Sequence, residues 1–356
     1  MSRQSRRSLE ALEVLIASVP VTGGTPTRRL RLEDVAAEVG LSTASVSMVL
    51  RGVPGPSAAT RERVLDAARR LGYRPDRAAS LLASRRTGLI GVVLEVRSTF
   101  HAELAEELLV VADRRGHDVL LGARTRVRDE RRAVETLIDS RCEALVLLGT
   151  EAPTARLAEL GGQVPVVAVG RRLPGAEVDV VRVDDERGTA ELVGHLVAAG
   201  HRDIVYVDGG RDAIATDRRR GYRAAMRRAG LGDRARVLRG GKGEQDGARA
   251  AAELLAGDAL PTAVVVFNDH AAVGLLDALV RAGVDVPGDV SVAGYDDSPL
   301  SRMAHVDLTT VSQNVAELSA HTLELVAERL DDAGRPAREV VIPPRLVVRG
   351  STAAPR

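Results

Sequence analysis

The sequence predicts a small all-α head followed by a larger α/β core made of two similar parallel-sheet halves. Three observations carry this. Up to Thr87 there are 15 arginines against 8 acidic residues, a net +7, which leaves −6 for the remainder of a chain whose total is +1. Beyond Gly88, near-continuous apolar runs alternate with amphipathic stretches, as parallel strands and their crossover helices do. At 356 residues the chain also exceeds one ordinary domain.

The head comes first. Leu32, Val35, Ala36 and Val39 recur at helical spacing, and Gly40 is a helix stop. Ser42 is placed to cap a second helix, Thr43–Leu50, with Val46, Val49 and Leu50 facing inward. Thr43, Ala44, Ser45, Ser47 and Met48 are then its exposed face. Two short helices around a glycine turn form a helix-turn-helix, a motif that lays its second helix in the major groove of DNA. A hairpin in any helical bundle shows the same pattern. The basic charge of the segment separates the two, since it is the footprint of a nucleic-acid-binding head. After the turn-rich GVPGP, Ser57 precedes a third helix with Val64, Leu65, Ala68 and Leu71 inward and Gly72 at its end. RAASLLASRRT, which follows, has too few apolar contacts to fold alone. Residues 1–29 read as a flexible extension; Glu10 and Glu13 interrupt its apolar run and argue against a signal peptide, so the chain is expected in the cytoplasm.

In the core, GLIGVVLEV opens a series of roughly ten strands. Helices are expected over His101–Arg115, Arg128–Asp139, Thr154–Leu160, Arg187–Ala199, Arg218–Ala229, Gly247–Ala256, Asp269–Ala282 and Val315–Leu330. The intervening strands are HDVLLGA, ALVLLG, PVVAVG, DIVYVDG, ARVLRG, TAVVVFN and DVSVAGYD, with REVVIPPRLVVRG at the end. So many strands divide into two halves more readily than they fill one sheet. Apolar residues make up 45% of the chain and aromatics 2%, so packing rests on Val, Leu and Ala. The lone Cys142, beside ALVLL, reads as a buried inert thiol. No apolar run is long enough to span a bilayer.

Signatures of α/β enzymes are missing: no G-x-S-x-G, no H-E-x-x-H, no P-loop, and seven scattered histidines without ligand spacing. No catalytic residue, metal or cofactor is therefore expected. What stands at the carboxyl ends of strands, where open α/β sheets bind ligands, is polar. Phe100 and His101 follow the first strand; Asn268 and Asp269 follow TAVVVF; Asp296 and Asp297 follow SVAGY; Arg218 opens the helix with Gly221 and Tyr222. Each alone is equally a cap or turn residue. Together they describe a cleft for a polyhydroxylated or heteroaromatic ligand, with Phe100 and Phe267 as apolar walls.

DVAAEVGLSTASVSMVL, TRERVLDAARRLGYRPDRAASLLASRRTG, VDDERG, AAGHRDIVYV, TDRRRGYRAAM, FNDHAAVGLL, VPGDVSVAGYDDSPL and LTTVSQN occur in that order. On these motifs the chain resembles the lactose-repressor/purine-repressor family of bacterial transcription regulators over nearly all its length after residue 30. The resemblance implies a helix-turn-helix domain at 30–76, a hinge helix at 77–87 and a periplasmic-binding-protein-like core at 88–356. The core's lobe 1 would span about 88–184 and 314–342, and lobe 2 about 185–313 and 343–356. It implies a homodimer on double-stranded operator DNA, controlled by a small effector, a sugar or a nucleoside- or purine-like molecule. Thr43, Ala44 and Ser47 would face the groove. Ser57, Thr60 and Tyr73 would meet phosphates, and Arg77 would join the DNA contacts. Leu82 matches the leucine wedged into the minor groove. Arg218, Asn268, Asp296 and the Phe100–His101 loop match effector positions.

Three residues depart from the family's habit. Met48 replaces an arginine suited to reading guanine, Arg31 a threonine cap, and Asp76 an asparagine in the hinge approach. Two rival readings share the scaffold, a solute-binding protein or other non-catalytic sensor, and an enzyme. The basic head disfavours the first, and the missing catalytic constellation the second.

Overall fold

The computed structural model describes residues 30–50, 55–73, 86–211 and 213–356. The expectations for the extension at 1–29, for Asp76, and for most of the hinge, with Arg77 and Leu82, lie outside the described residues. The chain divides after Arg85 into two compact units.

In the first unit, α1 (Leu32–Val39), α2 (Thr43–Leu50) and α3 (Ala58–Leu71) share one apolar centre. Val35, Val39, Val46, Val49 and Val64 are buried there, each contributing about 1.5–3 kcal/mol. Gly40 ends α1 in the left-handed region, at φ 65°, as the tight turn requires. Arg63 donates to the Val39 carbonyl at 2.8 Å, tying α3 to the end of α1. One expectation fails: Leu65 is 42% exposed, and Ala67 is buried in its place. Counting from Val64, helical spacing selects 67, 68 and 71, so Leu65 falls on the outer face.

The second unit is the two-lobed core. In lobe 1, β1 (Leu89–Glu95), β2 (Asp118–Arg124), β3 (Ala144–Leu148), β4 (Val166–Val169) and β5 (Asp179–Val183) join β11 (Glu339–Ile342) in one parallel sheet of order β11-β5-β4-β3-β1-β2. The helices α4 (Thr99–Arg114), α5 (Glu130–Asp139), α6 (Thr154–Gly161) and the returning α11 (Val315–Asp331) cover it. In lobe 2, β6 (Ile204–Val207), β7 (Arg236–Leu238), β8 (Ala263–Val266) and β9 (Ser291–Ala293) form a parallel sheet of order β7-β6-β8-β9. Around it lie α7 (Asp185–Ala198), α8 (Ala213–Arg228), α9 (Glu244–Leu255) and α10 (Asp269–Arg281). A small antiparallel pair, β10 (Thr310–Ser312) and β12 (Arg345–Val347), completes lobe 2.

Two of these strands, β5 and β10, were not expected. β5 carries Asp179 and Arg182, which break its apolar run, yet both are buried. Asp179 accepts from Arg329, Arg335 and the Arg338 backbone, while Arg182 pairs with Glu339 at 2.7 Å. These partners lie more than a hundred residues away in sequence. Cys142 is buried as expected, and burial pushes its thiol up to about 11.

The chain passes between the lobes in three places: Asp184 between β5 and α7, Gln313–Asn314 between β10 and α11, and Pro343–Pro344 between β11 and β12. The Asp184 N–H donates to the Ile342 carbonyl at 3.1 Å, so two of the crossings are stitched together.

Candidate functional site

On the head, Thr43 and Ala44 are exposed, whereas Ser45, Ser47 and Met48 are half-buried, so the outer face of α2 is narrower than expected. Ser42 caps α2, accepting from the Ser45 N–H at 3.2 Å. Ser57 caps α3 through the Thr60 N–H at 3.2 Å, and the Ser57 and Thr60 hydroxyls lie 2.9 Å apart. With no acidic residue in its first turn, α3 presents N–H groups suited to a phosphate. Arg31 makes no side-chain cap on α1; Asp34 accepts from its backbone N–H at 2.7 Å instead. Tyr73 packs against the head's apolar centre.

In the core, a cavity of about 870 Å³ opens between the lobes at the carboxyl ends of both sheets. Phe100, His101, Arg218, Phe267, Asn268 and Asp296 all line it. Two local expectations need correction. Phe100 and His101 are not in a loop, because Ser98 caps α4 through the His101 N–H and the helix starts at Thr99. Arg218 lies in the second turn of α8, which starts at Ala213.

Arg218 is the centre of the lobe 2 side and is 3% exposed. Its Nε donates to Asp185 Oδ1 at 2.7 Å and its Nη1 to the Phe267 carbonyl at 2.6 Å. Both Nη atoms stand 3.4 Å from Asp296 Oδ1, which also accepts from Gln313 Nε2 at 2.7 Å. The guanidinium lies 3.5 Å from the centre of the Tyr295 ring and 4.7 Å from that of Phe267, both within cation–π range. Burial works against its charge, but the Asp185 and Asp296 carboxylates more than offset that and raise its pKa. Burial raises both carboxyls, with Arg218 pulling the other way. Gly221 lets α8 approach α7 closely enough for this pairing: a Cβ there would stand 2.2 Å from the Glu186 carbonyl oxygen. Asp296 itself sits at φ 113°, a region side-chain-bearing residues seldom adopt. Its N–H is held by the Val311 carbonyl at 2.9 Å.

Asn268 serves the fold as well as the cleft. Its Oδ1 caps α10 through the Ala271 N–H at 2.9 Å, and its Nδ2 donates to the Lys242 carbonyl at 3.0 Å. Behind it, Asp269 is fully buried, accepting from the Ser298 N–H and the Thr310 hydroxyl at 2.7 Å each. Burial, with the Asp296 charge, pushes its carboxyl up to about 7.

From lobe 1, His101 Nδ1 accepts the Glu95 N–H at 3.1 Å, which leaves the ring proton on Nε2, toward Gly149. Burial, helped by Arg124 and Lys242, pulls His101 down to about 3, so it is neutral. The lobes touch across the cleft. His270 Nε2 lies 2.6 Å from Thr99 Oγ1 while its Nδ1 meets Glu244 at 2.5 Å, and Arg302 stands 3.7 Å from Glu103.

Sequence reasoning missed Asp185, Gln313, Tyr295 and His270. Gln313 stood in the motif LTTVSQN and Asp185 in VDDERG, each at a crossing between lobes and each just after a strand, β10 or β5, that the apolar pattern does not reveal. Among the described residues no group of His, Cys, Asp and Glu is arranged to hold a metal ion, and no helix is long and apolar enough to cross a membrane.

Residues 31–76 match the family of bacterial regulatory proteins called the lacI family, and residues 193–352 match a periplasmic binding protein-like domain. The chain is 34% identical to the HTH-type transcriptional regulator GalR of Escherichia coli (strain K12) over 329 residues, 91% of this chain and 96% of that protein. A crystal structure of a LacI transcriptional regulator from a Rhodococcus species is similar over 75% of this chain and all of its own, with 43% identity and a TM-score of 0.72. The lac repressor dimer bound to operator and the anti-inducer ONPF is similar over 92% of this chain and all of its own, with 26% identity and a TM-score of 0.81. A helix-turn-helix head, a two-lobed core with a polar cleft and relatives matched almost end to end lead to one conclusion: the chain belongs to the lacI family of bacterial regulatory proteins and is a DNA-binding transcriptional regulator.

Proposed function

We propose that this regulator is a cytoplasmic homodimer whose heads (30–76) and hinges (77–87) bind a near-palindromic operator, and that a sugar held in the cleft controls that binding. The observation that carries the effector reading is the buried set around Arg218. Asp296, Gln313 and Arg218 present acceptor and donor groups side by side at the cleft, suited to neighbouring hydroxyls. A purine is the weaker reading, because the Arg218 guanidinium already lies over Phe267, which leaves Phe100 as the phenyl wall a base could meet. The lac repressor relative, a dimer bound to operator and an anti-inducer, supports the dimer and the control by a small molecule.

In this reading DNA contacts come from Thr43, Ala44, Ser45, Ser47 and Met48, with Ser57, Thr60, Tyr73 and Arg77 on the backbone and Leu82 in the minor groove. Effector binding shifts the angle between lobes, and that changes the population of the marginal hinge helices. The cleft binds and does not catalyse. Deleting residues 1–87 is expected to abolish operator shifts in gels while sugars still raise the core's melting temperature. A truncated chain that still shifts operator DNA overturns this division of labour.

A further inference from the structure

We infer that Glu143, with the end of α11, sets which spacing between operator half-sites this regulator accepts: it fastens residues 86–88 to the core and so fixes the point from which each hinge reaches the DNA. This rests on the reading that two copies of the chain bind a near-palindromic operator. Glu143 acts through the tether and is a positioning residue.

The fastening has two sides. Glu143 stands just before β3, with its side chain 14% exposed. Its Oε1 accepts the N–H of Thr87 and, at 3.0 Å, that of Gly88. Its Oε2 stands 4.0 Å from Arg86 Nε. The Thr87 hydroxyl donates to the Arg141 carbonyl at 2.9 Å, on a turn where Arg141 takes φ 62°. On the other side, Arg86 Nη2 donates to the Leu330 carbonyl at 3.1 Å and lies 3.6 Å from Asp331, at the end of α11. The Gly88 carbonyl accepts the Asp118 N–H at 2.9 Å, as the ladder to β2 requires, and Leu89 begins β1. The sheet alone would account for the bonds at Gly88. Those at Thr87 and Arg86 continue past it, into the chain that leads to the head, although neither residue belongs to a helix or a strand.

Lengths decide what this fastening does. Once the hinges are helical on the operator, residues 86–88 are the stretch on the core side that could still give. An extended residue spans about 3.3–3.6 Å, so three released residues add about 10 Å of reach to each protomer. Neighbouring base pairs are about 3.4 Å apart. One inserted pair therefore moves the half-sites by that distance and turns one against the other by about 35°. A released tether could follow such a change. A tether held from Arg86 onward has no slack to do so, and the mismatch falls on the contacts with DNA.

The test starts from an operator that the full chain selects from a randomised pool. Affinity is measured for it and for versions with one central base pair added or removed. The native protein should lose about ten-fold or more on either change, the scale of one wrong base pair in a site. In Glu143→Ala with Arg86→Ala the loss should shrink to about three-fold or less, because the freed chain reaches the displaced half-site. Hydrogen exchange at the Thr87 and Gly88 amides should quicken in the same variant. Glu143→Gln keeps an oxygen for both N–H groups and should retain most of the native discrimination. If Glu143→Ala does not fold, Arg86→Ala decides: its side chain is 59% exposed, and its loss should relax the spacing in the same direction. Variants that melt at lower temperature but keep the native spacing preference show that Glu143 only closes the end of the sheet, and the inference falls. Equal affinity of the native protein for all three operators overturns it too. Sedimentation of the same complexes separates that result from failure of the dimer reading, since one copy of the chain per operator removes the paired heads and the spacing rule together.

Discussion

Replacing Arg218 by methionine keeps an unbranched apolar stem, two heavy atoms shorter, and removes the cation that Asp185, Asp296 and the Phe267 carbonyl share. Taking one member from a buried ion network costs about 3–5 kcal/mol, because the charges left behind have no water. For a core of this size that is a drop in melting temperature on the order of 10 °C. The loss should depend on pH, and its direction follows from burial. Both carboxyls are already raised by it, and without the guanidinium they rise further. A group whose folded pKa is raised contributes stability at low pH that is lost as pH climbs through that pKa. The Arg218→Met variant should thus be closest to the native protein in acid and furthest from it at neutral and alkaline pH. Adding Asp296→Asn should return part of the loss. Thermal unfolding of the three proteins across pH is the assay. A destabilisation under about 1 kcal/mol, or one that does not change with pH, would refute the assignment of these acids as buried partners of Arg218.

Three further outcomes are expected. Asp269, raised to about 7, should make the native protein lose stability as pH rises from about 4, the usual carboxylate range, toward 7. Asp269→Asn, whose amide can accept from the Ser298 N–H and donate to Thr310, should flatten that slope in the same melting experiment. Gly221→Ala should destabilise the core by about 1–3 kcal/mol and weaken effector binding with it, since the added carbon pushes α8 and Arg218 away from α7; calorimetry and melting read both. Met48→Arg should change the preferred base at one step of each half-site by about 1–3 kcal/mol, measured by selection from a randomised operator; an unchanged preference assigns Met48 no part in readout.

The order of strands and helices was legible in the sequence wherever burial follows a local period. α1 ends at the glycine its apolar spacing predicts, and β3 and β8 are apolar runs buried throughout. Legibility stopped where a buried residue is polar and its partner distant. β5 was missed because Asp179 and Arg182 depend on residues contributed by α11, β11 and the segment joining them. The site followed the same rule. Arg218 and Asp296 stood out as polar residues in apolar company, but the 33 residues from Arg218 to Asp185 and the 78 to Asp296 hid what they do to one another. Asn268, read as a ligand contact or a cap, is a cap that also faces the cleft.

The three passages between the lobes have a mechanical consequence. Asp185 directly follows one of those passages and Gln313 belongs to another, so the groups that hold Arg218 and Asp296 sit close to the axis about which the lobes would turn. A torque applied there would have a short arm, so small displacements at a bound ligand would become larger ones at the far ends of the sheets. One far end is the start of β1, where the head's tether enters the core at Arg86. On the proposed reading, a ligand in the cleft would work the short end of a lever whose long end is the start of β1.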